Sequence, residues 1–368
     1  MLKRIILKFY KKHLKRKWNI KTDYCVSLLS SSYINDYKKH KSHILKVHSI
    51  HKKGFTWDDW HISGLSKSNY KSYLKSAQYY AMHPLNGKYS QWIDDKLTLK
   101  YIFSGTMLDK YMPKYFYQID NNGNVLGLQN CPNNKLKNDI TDIVSLLKTE
   151  KELAFKLESG SLGKGFFKAH YENGVFSLNN INYNENDFIT AISKLKGYLI
   201  TEYFHPHKDL SPFSFDAVNC IRYLIARDKN GNTKLVKSFI RFGTKQSGFV
   251  ENYNAGGILC YIDNNGVFSE GNIYDKKLGT NKKVREHIDT NVKLNAKIPL
   301  WDEIQKAGVL ISNYLPQMNY LGIDFVVTSK SEVKILEINS LTSLDALQID
   351  ESLLKSASKD FYISNIRK

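Results

Sequence analysis

Apolar residues recur at helical spacing near the start of the chain, and apolar runs broken by turn residues dominate further along. Between residues 1 and 21 the apolar positions lie three or four residues apart, at Leu2, Ile5, Ile6, Phe9, Leu14 and Trp18. This spacing predicts an amphipathic helix. Residues 1 to about 90 are expected to be mainly helical, and Thr56, which precedes Asp58 and Asp59, has the pattern of a helix start.

The rest of the chain combines hairpin and helix patterns. Four Asn-Gly pairs lie between apolar or β-branched runs and predict hairpins, at Asn122-Gly123, Asn173-Gly174, Asn230-Gly231 and Asn265-Gly266. Helical patterns cover about 136–150, 186–196 and 301–315. Antiparallel hairpins with helices on one side predict an α+β fold rather than a doubly wound sheet.

The last hairpin carries candidate metal ligands. Residues 321–327 form one apolar strand and residues 335–339 form the next, which places Asp324 opposite Glu337 and Asn339. Two carboxylates and a carboxamide oxygen are hard donors, suited to Mg²⁺ that also keeps water and nucleotide phosphates. A half-buried hairpin with polar ends would show the same pattern, so the interpretation depends on features upstream.

A glycine-rich turn between two strands provides such a feature. Lys156 lies on the first strand, and the turn contains Gly160, Ser161, Gly163, Lys164 and Gly165. Glycines let backbone N–H groups approach phosphate oxygens, and lysines supply charge. A strand rather than a helix follows the turn, which excludes a Walker loop and a dinucleotide-binding fingerprint.

Two further motifs flank this turn, and the order of all of them resembles the ATP-grasp superfamily. Asp95-Lys96 opens a helical stretch upstream, and a strand over residues 198–204 ends in Glu202 and Phe204. Across about residues 90–350 the motifs resemble the sugar-transfer-associated branch, known mostly from capsule and exopolysaccharide gene clusters. The resemblance implies two α+β subdomains that clamp ATP. We divide the chain into a basic, mainly helical region (1–90), a part with the glycine-rich lid (91–205), and a part with the metal site and acceptor region (206–368).

The resemblance also implies roles for individual residues. It assigns ATP binding to Lys96, Lys156, Gly160, Ser161, Gly163, Lys164, Gly165, Glu202, Phe204 and Asn219, and Mg²⁺ binding to Asp324, Glu337 and Asn339. Arg222 and Arg241 are the catalytic candidates, because a guanidinium can fork onto a phosphate or carboxylate and stays charged. Either arginine could instead pair with a surface acid. Asn252, His287 and Asp289 are candidates for substrate binding, and a plain loop role is equally open for the last two.

The chain departs from the family pattern at three positions. Leu157, Cys220 and Glu251 stand where proline, threonine and aspartate are usual. None of these changes removes a proposed phosphate or metal contact. They therefore leave the nucleotide chemistry intact, and the identity of the acceptor stays in doubt.

By resemblance, the activity is that of an ADP-forming ligase. A carboxylate attacks the γ-phosphate to give an acyl phosphate, which an amine opens to an amide. The expected substrates are a uronic-acid carboxylate of a surface polysaccharide or its precursor and an amino acid or other amine. Two alternatives are a phosphotransferase acting on a sugar hydroxyl and a non-catalytic, basic membrane-docking module.

Charge is concentrated near the N-terminal end. The net charge is +19, and residues 1–21 contain nine Lys or Arg and no acid. Such a helix suits an anionic inner-membrane surface, although its apolar face could instead pack on its own domain. Nucleic acid is not expected as a partner, because no recognised binding motif accompanies the charge. The segment is too polar to span a bilayer.

The four cysteines bear on the compartment. Cys25, Cys131, Cys220 and Cys260 lie far apart and form no Cys-x-x-Cys pair. A disulfide framework is therefore not expected, and a cytoplasmic location, peripheral at the inner face of the membrane, fits the chain better.

Overall fold

The N-terminal quarter of the computed structural model is helical. The structure describes residues 2–132, 138–160, 163, 165–215, 217–275 and 279–366. The helices that precede the first strand are α1 (Leu2–Trp18), α2 (Asp23–Lys39), α3 (Ile44–Lys52), α4 (Trp57–Ile62), α5 (Ser76–Met82), α6 (Gln91–Asp94) and α7 (Lys96–Phe103). Thr56 accepts a hydrogen bond from the Asp59 amide at 3.1 Å, which confirms the predicted start of α4.

A seven-stranded antiparallel sheet follows, with strand order β2-β1-β7-β3-β4-β5-β6. Its strands are β1 (Tyr115–Ile119), β2 (Val125–Gly127), β3 (Glu152–Leu157), β4 (Phe167–Glu172), β5 (Val175–Leu178), β6 (Ile181–Tyr183) and β7 (Tyr198–Glu202). Helices α8 (Ile140–Glu150) and α9 (Glu185–Ile192) bury Leu147 and Phe188 in a shared core with strand residues such as Phe155. The helices cover one face of this sheet and leave its other face to the candidate site.

The second sheet also has seven antiparallel strands, in the order β13-β12-β10-β9-β8-β15-β16. Its strands are β8 (Cys220–Arg227), β9 (Thr233–Phe242), β10 (Ile258–Tyr261), β12 (Gly271–Asp275), β13 (Thr280–Val284), β15 (Tyr320–Val327) and β16 (Val333–Asn339), while β11 (Val267–Phe268) pairs with β14 (Ala296–Lys297). Helix α10 (Trp301–Tyr314) and α7 pack on one face, and α5 and α11 (Lys359–Ile366) pack on the other. Hence the α+β prediction is confirmed.

Among the described residues, seven short 3₁₀ helices complete the fold. They are Lys41–His43, Tyr70–Ser72, Gly87–Ser90, Asp109–Tyr111, Ser211–Phe213, Tyr253–Ala255 and Asp345–Leu347. In the described part of the chain, none of the helices has the length and apolar character needed to cross a bilayer.

Three of the four predicted Asn-Gly hairpins join strands that pair directly. The turns at Asn122-Gly123, Asn173-Gly174 and Asn230-Gly231 connect β1 to β2, β4 to β5 and β8 to β9. Asn265-Gly266 also lies in a turn, closed by the Asp263 amide donating to the Val267 carbonyl at 2.9 Å. However, the strand after this turn pairs with β14 rather than with β10.

The helical region is joined to the second sheet by buried hydrogen bonds. The Leu74 amide donates to Gln348 Oε1 at 3.1 Å, and Gln348 Nε2 donates to the Leu74 carbonyl at 3.0 Å. Asn86 Nδ2 donates to the Tyr320 carbonyl at 2.7 Å, and the Tyr320 amide donates back to Asn86 Oδ1 at 2.9 Å. The first sheet ends at Glu202 and the second begins at Cys220, on either side of residue 205.

Candidate active site

Lys96 lies where three parts of the chain meet. It begins α7 because Asp95 caps that helix, accepting from the Thr98 amide at 2.7 Å. The buried Lys96 amine donates to the Gly160 carbonyl at 2.9 Å and lies 3.3 Å from Glu337 Oε2. One amine therefore contacts both the glycine-rich turn and the final strand, as required of a residue in a phosphate cleft.

Lys156 places a second amine in the same cleft. It lies on β3, and its Nζ is 4.9 Å from the centroid of the Tyr115 ring. Burial and the positive charge of Lys96 lower the pKa of Lys156 to about 7, although Glu337 and Glu202 act in the opposite direction. Two neighbouring amines in a buried cleft, one with a strongly lowered pKa, favour the binding of a polyanion.

The glycine-rich turn lies against the loop that joins β9 to β10. Gly163 has a φ of +69°, and a Cβ at this position would be 2.3 Å from the Val250 side chain. Gly165 is also left-handed, with a φ of +70°, and Gly160 contacts Lys96 through its carbonyl. Glycine suits these positions because a side chain would strain the backbone and push the turn away from Val250. Ser161 and Lys164, also predicted to bind ATP, lie outside the described residues.

The predicted hinge residues lie at the end of β7. The Glu202 amide donates to the Lys114 carbonyl at 3.1 Å, and its carboxylate is close enough to Lys156 to raise the pKa of that amine. Phe204 follows two residues later and is half-buried. Glu202 therefore lies near Lys156, and Phe204 follows it along the chain.

The final hairpin has the register expected from the sequence. Asp324 lies opposite Glu337, and Gly322 lies opposite Asn339. Residues opposite each other, or two apart along a strand, point to the same face of a sheet. On the other side of β15, Asp324 lies opposite Arg222, and Cys220 lies opposite Arg241. One face of the second sheet therefore carries all the predicted metal ligands and both candidate arginines.

The two arginines are held by internal carboxylates. Arg222 donates through Nε to Asp324 Oδ1 and through Nη2 to Asp324 Oδ2, the latter at 2.9 Å. Arg241 Nη2 lies 3.2 Å from Asp324 Oδ2 and 3.1 Å from Glu251 Oε1. Burial alone would raise the pKa of Asp324, but Arg222 and Arg241 hold it below its usual value. Burial raises the pKa of Glu251 despite the neighbouring guanidinium. Both arginines therefore pair with acids, but these acids are internal and are not the surface acids of the alternative interpretation.

Part of Arg241 remains available. Its Nε is buried and has no hydrogen-bond partner among the residues that the structure describes. A buried donor without an acceptor is costly, and an incoming anion would satisfy it. Arg241 therefore retains a donor that its contacts with Glu251 and Asp324 do not use.

The donor set fits Mg²⁺ bound together with a nucleotide. Asn339 Nδ2 donates to Glu337 Oε1 at 3.2 Å, so the two proposed ligands are adjacent. Across the described ranges no cluster of three or more His, Cys, Asp or Glu side chains could enclose a metal ion. Mg²⁺ needs fewer protein ligands than that, because it usually keeps several waters and substrate phosphates. Glu337 and Asn339 would hold it, whereas both carboxylate oxygens of Asp324, the third predicted ligand, already accept hydrogen bonds from Arg222.

Other candidates have side chains engaged in loop structure. Asn219 Nδ2 donates to the Leu210 carbonyl at 2.8 Å, so the structure does not place its amide in the phosphate cleft. His287 Nε2 lies 2.9 Å from the Gly243 carbonyl oxygen, and Asp289 Oδ2 accepts from the Lys245 amide at 2.8 Å. These two residues brace the loop after β9. Asn252 caps the 3₁₀ helix Tyr253–Ala255.

Sequence reasoning assigned no role to several residues that support the site. Asp94 accepts from the Ser340 amide at 2.8 Å and from the Ser340 hydroxyl at 2.6 Å, which fixes the residue after Asn339. Thr342 Oγ1 lies 3.4 Å from Arg222 Nη1, and its carbonyl accepts from the Tyr79 hydroxyl at 2.6 Å. Asp94 could have been noticed as the neighbour of Asp95-Lys96, whereas the Tyr79 contact leaves no local sequence pattern.

Solved structures with a similar arrangement share little sequence with the chain. The D-alanyl-alanine synthetase A of Vibrio cholerae O1 biovar eltor is 10% identical, with a TM-score of 0.41 over 75% of this chain and 65% of that one. A RiPP-associated ATP-grasp ligase of Chryseobacterium gregarium, solved with ADP and a leader and core peptide, is 11% identical, with a TM-score of 0.39 over 82% of this chain and 70% of that one. An N5-carboxyaminoimidazole ribonucleotide synthetase, solved as an ADP complex, is 10% identical, with a TM-score of 0.37 over 69% of this chain; the chain spans only 46% of its length.

No curated protein matches the chain. The family model described as sugar-transfer associated ATP-grasp matches residues 75–360, which is most of the sequence. This match includes every residue proposed for the site and confirms the ATP-grasp fold expected from the order of the motifs. The chain therefore belongs to the sugar-transfer associated ATP-grasp family.

Proposed function

We propose that the protein is an ATP-dependent carboxylate–amine ligase. The observation that carries this proposal is the position of Lys96, whose amine contacts the lid at Gly160 and the final strand at Glu337. ATP brings about four negative charges, so its site needs cations, backbone donors and a divalent ion together. The cleft between the two sheets contains two lysines, a glycine-rich turn and, at Glu337 and Asn339, side chains that would hold a divalent ion.

The charged residues suggest how the reaction would proceed. A carboxylate oxygen of the acceptor attacks the γ-phosphorus, the bond to the β-phosphate oxygen breaks, and ADP leaves. The amine then attacks the acyl carbon and inorganic phosphate departs. Lys96 and Lys156 would neutralise the phosphates, and Arg241 Nε would donate to the attacking carboxylate or the transferred phosphoryl group. Magnesium at Glu337 and Asn339 would supply further charge neutralisation.

The other residues would orient these groups and exclude water. Asp324 fixes Arg222 through both carboxylate oxygens, so the guanidinium plane is already set before substrate binds. The lid packs against Val250 near the arginines. Such closure would protect an acyl phosphate from hydrolysis.

The substrate class is proposed from the family and from charge. The family is described as sugar-transfer associated. A uronic acid combines a sugar with the carboxylate that the chemistry requires, and two arginines near the lid suit that carboxylate. We therefore propose a uronic-acid-containing surface polysaccharide or its precursor as acceptor, and an amino acid or other amine as second substrate.

The test combines product analysis with a matched variant. The protein is incubated with ATP, Mg²⁺, uronic-acid acceptors and an amino acid pool, and mass shifts of the acceptor are read. A gain that matches an amide, with ADP and phosphate, supports the ligase. Glu337→Gln should abolish Mg²⁺-dependent ADP release, whereas Glu332→Gln, at a half-exposed side chain near the start of the same strand, should not.

Two other results would contradict the proposal. A phosphorylated sugar formed without any need for amine would identify a phosphotransferase. The absence of turnover with every acceptor, combined with Mg²⁺-ATP binding that is unaffected by Glu337→Gln, would point to a docking module without catalysis.

A further inference from the structure

One side of helix α1 packs against the rest of the molecule. Leu14 is only 1% exposed, and the Tyr10 ring stacks on Tyr33 with centroids 4.4 Å apart. The Trp18 ring lies so close to Gly54 that a Cβ there would come within 2.7 Å of it. The side chains of Tyr10, Leu14 and Trp18 are therefore covered by α2, α3 and the loop that follows α3, and they are not free to enter a lipid layer.

The opposite face of α1 is basic and points to solvent. Lys8, Lys12 and Arg16 lie one turn apart along this face, and all three are exposed. A groove of about 450 Å³ next to them, between α1 and α2, is lined by Lys11, Lys12, Lys15, Arg16, Asp23, Val26 and Ser27. Asp23 is paired with Lys15 at 2.7 Å. The remaining positive charge is strongly concentrated and faces outward.

Two large apolar side chains, one on α1 and one on α3, are exposed. Phe9 is 68% exposed and Leu45, near the start of α3, is 86% exposed. The two helices are neighbours, because the Tyr10 hydroxyl of α1 lies 3.0 Å from His51 Nδ1 of α3. Phe9 and Leu45 are thus exposed on two helices that contact each other.

We propose that this basic surface, formed by the outward face of α1 and the start of α3, docks on an anionic lipid bilayer. Charge complementarity provides the attraction, since basic residues near an anionic leaflet act additively. The exposed Phe9 and Leu45 distinguish a bilayer from a soluble polyanion, because only a lipid interface offers an apolar region to cover them. The proposal does not depend on the ligase activity.

Vesicle co-sedimentation tests the electrostatic part. Wild-type protein should bind mixed phosphatidylglycerol–phosphatidylcholine vesicles and not pure phosphatidylcholine, with binding that weakens as salt is added. The triple variant Lys8→Gln, Lys12→Gln, Arg16→Gln should bind about 100-fold more weakly, since each cation contributes about five-fold. A control variant neutralises three exposed lysines on other surfaces, Lys194, Lys196 and Lys229, and should bind like wild type.

A second variant tests the apolar part. Phe9→Ala with Leu45→Ala should also weaken vesicle binding, while thermal unfolding and nucleotide binding stay as in wild type. Equal sedimentation of wild type and the Lys8/Lys12/Arg16 variant would overturn the proposal. If removing Phe9 and Leu45 has no effect on vesicles while polygalacturonate binds the same lysines, the surface serves a soluble polyanion and the bilayer proposal is wrong.

Discussion

Binding of nucleotide is expected to draw a proton onto Lys156. The buried amine has a pKa of about 7 in the absence of phosphates, against an ordinary value of 10.5, because of burial and the neighbouring Lys96. A triphosphate beside it would stabilise the charged form and return its pKa towards the ordinary value. Full return corresponds to about 5 kcal/mol of interaction between the charged amine and the phosphates.

The pH dependence follows from this direction. At about pH 8 the free protein would carry Lys156 about nine-tenths deprotonated, so binding would take up about 0.9 proton; at about pH 6 the uptake would be about 0.1. The pKa of Lys156 is lower in the folded protein than in the unfolded chain, so between these two values the unfolded chain binds the extra proton. The protein should therefore gain stability as pH rises from about 7 towards 10.5. Above about pH 7 the nucleotide Kd should rise by about tenfold per pH unit.

Isothermal titration calorimetry in buffers of different ionisation enthalpy measures the proton uptake. Lys156→Arg is the matched control, because a guanidinium stays charged throughout this range and has no proton to gain. The variant should bind nucleotide with a flatter pH dependence. If it takes up as many protons as wild type at about pH 8, the proton is going elsewhere and the assignment of Lys156 fails.

Four further substitutions separate the parts of the site. Asp94→Ala should release Ser340 and lower the rate of ADP formation by about 10- to 100-fold. Asp95→Ala should only lower the free energy of unfolding by about 1 kcal/mol, because a helix cap is lost. Steady-state kinetics and urea unfolding check this pair, and equal ADP formation in both variants would contradict the reasoning. Gly163→Ala should raise the KM for ATP, because the φ of +69° disfavours a side chain and the lid cannot seat; an unchanged KM would argue against lid closure. Arg222→Met should lower the free energy of unfolding by about 3 kcal/mol, since it removes one partner of a buried ion pair, and urea denaturation showing no loss would mean that the pair contributes nothing.

Local patterns in the sequence predicted the final hairpin and the start of α7 well. Strand alternation fixes which face Asp324 and Glu337 share, so their opposition could be read from spacing alone. Likewise, an acid just before a helical pattern is a common cap, and Asp95 has that role.

Contacts between distant strands could not be predicted in this way. Asp324 meets Arg222 because β8 lies beside β15 in the sheet, and their separation of 102 residues leaves no spacing rule to use. The contact between Asp94 and Ser340 spans 246 residues and has the same origin. The pattern of α1 predicted an apolar stripe, but only the fold shows that Leu14 is covered while Phe9 is exposed.

The hydrogen bonds of Leu74 and Asn86 also limit how far the chain can be truncated from its N-terminal side. Asn86 completes the backbone pairing at the beginning of β15, four residues before Asp324. A shortened protein that starts at residue 91 would keep every proposed ligand yet expose the end of the strand that carries one of them. Any fragment made for crystallisation or assay should therefore retain the chain from about residue 70, although the family motifs begin later.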